Sequence, residues 1–383
     1  MSSQSISFPG VSAREFSYNQ PHSPSFKDIL NGDKAFYNQP DYVDATQRDF
    51  AKNRSLPVNY TWNTENKIIR IVKQIFSIII FPIGIYQLLH ALAGKIALLP
   101  ASSPRLIMGY PENHANNSRS KISLDGACKY KRITVEVDGY KIDAMIVGTA
   151  STLNNGRWML ASNGNGAFYE NLLSYKSGFH QILREVKSNA IVFNYPGVGA
   201  SSGLPNRQAM AKAYRAMLNL LEDQKNGIGA KEIIGYGHSI GGGVQGDALK
   251  THELKKDVKY VFVKSRTVSD LSTTASTLTC KPLGFLVKVL GWNIDSVESS
   301  KKLQAPEIIM QTANVKGYEE LNDSSKIIGD GVIAVNASLA KALLEDNKCP
   351  RKNKVFIGIQ ERHNTPLHDS SFLAKKIKEL LKI

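Results

Sequence analysis

Residues 232–245 read E-I-I-G-Y-G-H-S-I-G-G-G-V-Q. The apolar run Glu232–Tyr236 has strand character, and the glycine-rich stretch beyond Ser239 leads into a helix. A serine at such a junction must sit on a strained corner, with its hydroxyl pointing away from both elements. Gly237 and Gly241 flank it because a side chain at either place would strike the neighbouring strand or helix. The helix end just past Ser239 offers unpaired N–H groups and a positive dipole to a developing oxyanion. The pattern G-x-S-x-G by itself arises readily by chance, and an idle serine in a glycine-rich turn is the bland reading. Its place at a strand–turn–helix junction gives it weight as a candidate nucleophile.

The flanking sequence has the matching pattern. Ile133, Val135 and Val137 alternate with polar residues, Asp138-Gly139 supplies a tight turn, and Ile142, Ala144 and Ile146 alternate again. That is a β-hairpin. Further strand candidates are Trp158–Ala161, Ala190–Asn194, Tyr260–Lys264, Glu307–Gln311 and Val355–Ile359, with helical segments between them. In one of these, Met210, Tyr214, Met217, Leu218 and Leu221 share a face and Gly227 closes the segment. Alternating strand and helix predicts an α/β fold, a mostly parallel sheet covered on both faces. Such sheets bind ligands at the C-terminal ends of their strands. The organisation expected is a flexible N-terminal arm over 1–63, an apolar helical segment and linker over 64–128, and the α/β domain over 129–383. An insert at about 265–305 is expected to form a small cap, with Phe285, Leu286, Val289, Leu290 and Trp292 as core or as an acyl-chain lining.

The turn Asn163-Gly164-Asn165-Gly166 follows the third strand, where a second oxyanion donor is needed. The donors expected are the backbone N–H groups of Asn165 and Ile240, with Gly166 as the alternative to Asn165. The turn N-Y-P-G-V-G-A-S-S-G (194–203) must bend sharply below this site. In sheets that carry a G-x-S-x-G corner, the acid and then the histidine follow the serine in chain order. Of the eight histidines, only His363 and His368 come late enough. His363 lies four residues beyond the strand ending at Ile359 and is preferred as the base, with His368 as the alternative. His238 neighbours the serine, but the corner is expected to aim it elsewhere. The acid should follow the strand at 307–311. Asp330 is preferred, Asp323 is the alternative, and Glu319, Glu320 and Asp295 are outside candidates.

Composition narrows the field. With 383 residues, 42% of them hydrophobic, the chain can bury one large core plus an appendage. Its formal net charge is +15, but the basic residues are scattered and no zinc-finger or RNA-recognition pattern occurs, so no nucleic-acid partner is expected. Three widely spaced cysteines fit neither a metal site nor a disulfide framework, and no cofactor is called for. The first residues lack a Sec-type signal pattern. From Gln74 to Gly94 no formally charged residue occurs, while Lys67, Arg70, Lys73 and Lys95 flank the run. Three readings of residues 64–100 stand side by side: a hairpin buried on the catalytic domain, an interfacial anchor at a membrane surface, or a span interrupted by Pro82.

The corner G-H-S-I-G, the turns N-G-N-G and N-Y-P-G-V-G-A-S-S-G, and the segment H-N-T-P-L together resemble α/β-hydrolase motifs over about residues 130–383. More narrowly, the apolar segment, N-Y-P-G-V-G and S-R-T-V-S-D-L-S (265–272) are similar to a family of hydrolases in Chlamydia and Legionella that includes the SidB-type effector lipases. That resemblance implies lipase or esterase action on a lipid or acyl ester by a Ser-His-Asp triad, without a cofactor. It also implies a bacterial cytoplasmic protein exported into a host cell by a type IV system; association with a membrane there is an expectation from the apolar segment 64–100. Ser239 and His363 carry over to the family pattern. The acid does not, because the stretch after residue 311 departs from the short superfamily pattern. The rival readings are a non-catalytic binding protein on the same fold, a serine peptidase or thioesterase, and a nonspecific polyanion binder. Oligomeric state is not legible in the sequence.

Overall fold

The computed structural model describes Phe26 and residues 58–111, 114–120, 122, 128–149, 151–174 and 177–383. The rest of the expected N-terminal arm, apart from Phe26 and the residues from 58 onward, lies outside them.

The chain enters through β1 (Tyr60–Trp62), α1 (Lys67–Ile79) and α2 (Phe81–Ala93). The hairpin β2 (Lys129–Val137) and β3 (Tyr140–Gly148) follows, then β4 (Arg157–Ser162), α3 (Phe179–Val186), β5 (Asn189–Phe193) and α4 (Arg207–Glu222). The central unit is β6 (Glu232–His238) and α5 (Ile240–Leu249), then β7 (Lys259–Ser265). The insert folds as α6 (Leu271–Leu278), α7 (Lys281–Val289) and α8 (Ser296–Lys302). Last come β8 (Glu307–Thr312), β9 (Glu319–Glu320), α9 (Leu339–Glu345), β10 (Lys354–Ile359) and α10 (Ser371–Leu381).

Among the described residues the strands form one sheet in the order β1-β2-β3-β5-β4-β6-β7-β8-β10-β9. From β5 to β10 all neighbours are parallel; β3 is antiparallel to both β2 and β5, and β9 is antiparallel to β10. The β2–β3 turn uses Asp138 and Gly139, both at positive φ, which matches the twist of a two-residue hairpin. Alternation along the strands feeds two cores. Trp158, Leu160, Ile233 and Phe262 pack on one side with Met210, Tyr214 and Met217 of α4 and Val244 of α5. Met159, Ala161, Ile234 and Val263 pack on the other with Ile182 and Val186 of α3 and Leu373 and Ile377 of α10. Each such side chain contributes about 1.5–3 kcal/mol through burial.

Several expectations need correction. The supposed arm ends in a strand, since Tyr60–Trp62 pairs in parallel with Val135–Val137 and satisfies the open edge of β2. Helix α4 stops at Glu222, and Gly227 instead serves the turn beyond it, where the Ile228 N–H donates to Leu220 O at 2.8 Å. Of the apolar residues expected to form the insert's core or an acyl-chain lining, Leu290 and Trp292 are buried, while Phe285, Leu286 and Val289 face outward. The cause is Gly284: a Cβ there would lie 2.5 Å from Ser272 O, so α7 presents its glycine side to α6. Residues 64–100 are helical, but α1 and α2 meet at a bend of 100° and leave most of their apolar side chains exposed. They are therefore not a hairpin buried on the catalytic domain. No single helix among the described residues is long and apolar enough to cross a membrane.

Candidate active site

Strand β6 delivers Ser239 onto its corner at φ +57° and ψ −128°, a conformation that L-residues rarely adopt. The two flanking glycines are required sterically. A Cβ on Gly237 would lie 2.6 Å from Gly242 Cα, and one on Gly241 would lie 2.4 Å from Ser162 O. The Ser239 backbone is held by its own N–H, which donates to Ser265 O at 2.9 Å.

The loop after β10 brings His363 to this corner. The Ser239 hydroxyl donates to His363 Nε2 at 2.9 Å, and His363 Nδ1–H donates to Asp330 Oδ2 at 2.8 Å. The other Asp330 oxygen accepts the N–H groups of Val332 (2.9 Å) and Ile333 (2.6 Å). A further bond, from the His363 N–H to Asp330 O at 2.9 Å, ties the two loops together. Burial alone would raise the Asp330 pKa. The hydrogen bond from His363, the charge of that ring and the N–H groups of Ile333 and Val332 outweigh it and hold the carboxyl below its ordinary range. The acid is thus an anion that fixes the histidine with Nδ1 protonated and Nε2 free to accept.

The alternatives fall elsewhere. Asp323 is exposed and accepts the Ser325 N–H in a turn at 2.8 Å. His368 is exposed, and its backbone N–H donates to Glu361. Asp295 caps α8 through the Glu298 N–H, and Glu319 and Glu320 pair with Lys326 and Lys376.

Gly164, at the head of the N-G-N-G turn, stands against the serine; a Cβ on it would lie 3.6 Å from Ser239 Cβ. The Asn163 carbonyl accepts Tyr195 Oη–H at 2.9 Å, so the N-Y-P-G turn buttresses this one. The Asn165 carbonyl accepts the Ala101 N–H at 3.4 Å, and Gly166 packs against Met108. None of the hydrogen bonds among the described residues engages the N–H of Asn165 or Ile240.

Of two further neighbours, one corrects an expectation and one escaped the sequence reading. His238 does not aim away from the site; its ring centroid is 4.9 Å from that of His363. Burial, Arg266 and His363 push its pKa well below the ordinary imidazole value, so it stands as a neutral ring beside the base. Arg266 follows β7 at φ +47° and is buried. Its Nη1 donates to Arg362 O (2.6 Å) and Thr365 O (2.7 Å), bracing the loop on both sides of His363. The signals available were its position at the C-terminal end of a central strand and its place in S-R-T-V-S-D-L-S. Arg266→Ala is expected to lower kcat about 100-fold, since it releases the loop that carries the base. Arg266→Lys should recover part of the loss. Steady-state kinetics on a soluble ester give the answer, and an unchanged kcat would show that the loop holds itself. His238, Arg266, His363, Gly164, Ile182 and Leu367 contribute to the walls of a cavity of about 230 Å³.

A mostly parallel sheet in this order, with a serine on a left-handed corner after its central strand and an acid and a histidine supplied by later loops, is an α/β-hydrolase fold. The chain belongs to the family described as Chlamydia CHLPS protein (DUF818), whose model matches residues 43–382. No curated protein matches it. Among solved structures it is similar to an esterase of Pyrococcus furiosus, with 15% identity, 66% of this chain and 90% of that chain covered, and a TM-score of 0.47. It is also similar to Est1E of Butyrivibrio proteoclasticus, solved with ferulic acid (14% identity, 65% and 98% covered, TM-score 0.46). Acetyl xylan esterase 1 of a Thermoanaerobacterium species is a third (12% identity, 71% and 94% covered, TM-score 0.42).

Proposed function

We propose that the protein is a serine hydrolase of carboxylic esters, with lipid or acyl esters as its substrate class. The observation that carries this is the unbroken relay from the Ser239 hydroxyl through His363 to Asp330, at 2.9 and 2.8 Å. In this reading Ser239 Oγ attacks the acyl carbonyl carbon while its proton passes to His363 Nε2. The N–H groups of Asn165 and Ile240 receive the oxyanion. The tetrahedral intermediate collapses, the C–O bond to the alcohol breaks, and His363 returns the proton to the departing alkoxide. Water then attacks the acyl-serine with His363 again as base, releasing the carboxylic acid and restoring the hydroxyl. Asp330 remains an anion throughout and holds the imidazole orientation. The chemistry needs no cofactor. The resemblance of N-Y-P-G-V-G and S-R-T-V-S-D-L-S to the SidB-type effector lipases points to a lipid substrate; in the structure the first motif buttresses the turn 163–166 and the second supplies Arg266.

The cavity beside the relay, about 230 Å³, is smaller than the roughly 300 Å³ at which pockets for drug-sized ligands begin. It suits a short acyl group, or the carbonyl end of a longer one. Hydrolysis of p-nitrophenyl esters tests both points. The expected kcat/KM for the butyrate exceeds that for the palmitate by about tenfold or more in detergent-free buffer. Absence of turnover on every ester tried would remove the hydrolase reading, and a preference for palmitate would remove the cavity as the acyl site.

A further inference from the structure

We propose that α1–α2, the helix Pro104–Met108 and α7 form one docking face for an anionic lipid bilayer, on which the protein lies without crossing it. This goes beyond the hydrolase reading and does not depend on it.

The first observation is apolar exposure. Ile68, Phe76, Ile79 and Phe81 of the bent pair stand between 57 and 71% exposed, Leu106 is 77% exposed, and Phe285 of α7 is 70% exposed. Isolated exposed apolar residues are ordinary; a bent helix pair that leaves most of its apolar side chains exposed marks an interaction surface.

The second is that these segments, far apart in sequence, are clasped together. The rings of His90 in α2 and Trp292 just past α7 stack at 4.7 Å. Trp292 Nε1–H donates to His90 O at 2.7 Å, and His90 Nδ1 bonds to Leu290 O at 2.6 Å. Gly94 permits this approach, since a Cβ there would lie 2.3 Å from the Trp292 ring. Beyond the clasp the chain runs through Ala101 and Met108, which touch Asn165 and Gly166 at the catalytic turn. The apolar face thus borders the site.

The third is charge, and it selects the occupant. No Asp or Glu occurs between Glu65 and Glu112, nor between Asp270 and Asp295. The same two stretches carry Lys67, Lys95, Arg105, Lys281 and Lys288, besides Arg70 and Lys73, which pair with Asp138 and Glu65. A cavity of about 870 Å³ at the root of α2 adds Arg215; its other cations are paired, Arg207 and Lys250 with Asp247 and Lys212 with Asp138. Arg215 stacks over Trp62, and its buried Nε has no hydrogen-bond partner among the described residues. A protein partner or a second copy of this chain would need acidic groups opposite these cations; a bilayer rich in phosphatidylserine or phosphatidylglycerol supplies them throughout. The bend decides lying against spanning. The first limb has 13 residues and the second runs from Phe81 to Ile96, about 20 and 24 Å of helix, and the 100° between them keeps the pair from lining up across a hydrocarbon core of about 30 Å. A pair bent at Ile80, with α1 amphipathic and α2 apolar on most sides, therefore rests in the headgroup region.

Flotation of the full chain tests this, with vesicles of phosphatidylcholine alone or phosphatidylcholine with phosphatidylserine. We expect binding to the anionic vesicles, at least tenfold weaker on neutral vesicles and in high salt. Phe76→Asp and Phe285→Asp should each weaken it by a comparable factor. Circular dichroism and thermal unfolding of both variants report that they are folded, and flotation reads binding whether or not Ser239 reacts. No flotation of the wild type, equal flotation on neutral vesicles, or full binding by Phe285→Asp would each overturn the proposal. So would self-association that Phe285→Asp disrupts in a protein that ignores vesicles.

Discussion

Replacing Asp330 by Asn is expected to lower kcat/KM for ester hydrolysis by about 10⁴-fold, or roughly 5.5 kcal/mol of transition-state stabilisation. The two N–H groups of Val332 and Ile333 hold Oδ1, so an asparagine would keep its carbonyl oxygen toward them and turn its amide nitrogen to His363. The imidazole would then have to accept at Nδ1 and carry its proton on Nε2. In that tautomer it cannot take a proton from Ser239. Asp323→Asn is the matched control. Asp323 serves only a surface turn, and its substitution should change the rate by less than about twofold. Steady-state kinetics on one soluble ester compare the two directly. An inactive Asp323→Asn beside an active Asp330→Asn would reverse the assignment of the acid.

The acid shows where sequence reading stops. Ser239 sits in a local pattern, and His363 follows a strand within four residues, so both were legible from spacing. Asp330 lies 18 residues past the end of β8, and what returns it to the sheet is pairing. The Ala313–Ile327 bridge and the two-residue strand β9 fold the intervening chain back on itself. Neither leaves a periodic trace, so Asp323 and Asp330 remained open on sequence grounds alone. The alternating strands and the hydrophobic face of α4 were legible because their periods are short and their burial one-sided. The outward turn of Phe285 and Val289 was not, because it depends on Gly284 meeting α6. Arg266 likewise reads as a surface cation until the loop it braces is in place. The strand at Tyr60–Trp62 is only three residues long, too short for alternation to register.

The second large effect concerns Ser239 itself. If serine and histidine act as a unit, Ser239→Ala, His363→Ala and the double variant should lose nearly the same activity, about 10⁶-fold, rather than the product of two losses. Alanine suits the corner no worse than serine, because the cost of φ +57° is the same for both. The Ser239→Ala protein should therefore remain folded while inert.

That contrast also gives the most direct test of the central claim. A fluorophosphonate presents phosphorus to the nucleophile, and Ser239 Oγ displaces fluoride as His363 accepts the proton, leaving a stable phosphonyl-serine. After labelling, digestion and mass spectrometry, the adduct is expected on the peptide containing G-H-S-I-G, at Ser239, and to be absent from Ser239→Ala. An adduct on a different residue, or undiminished labelling of Ser239→Ala, would contradict the account.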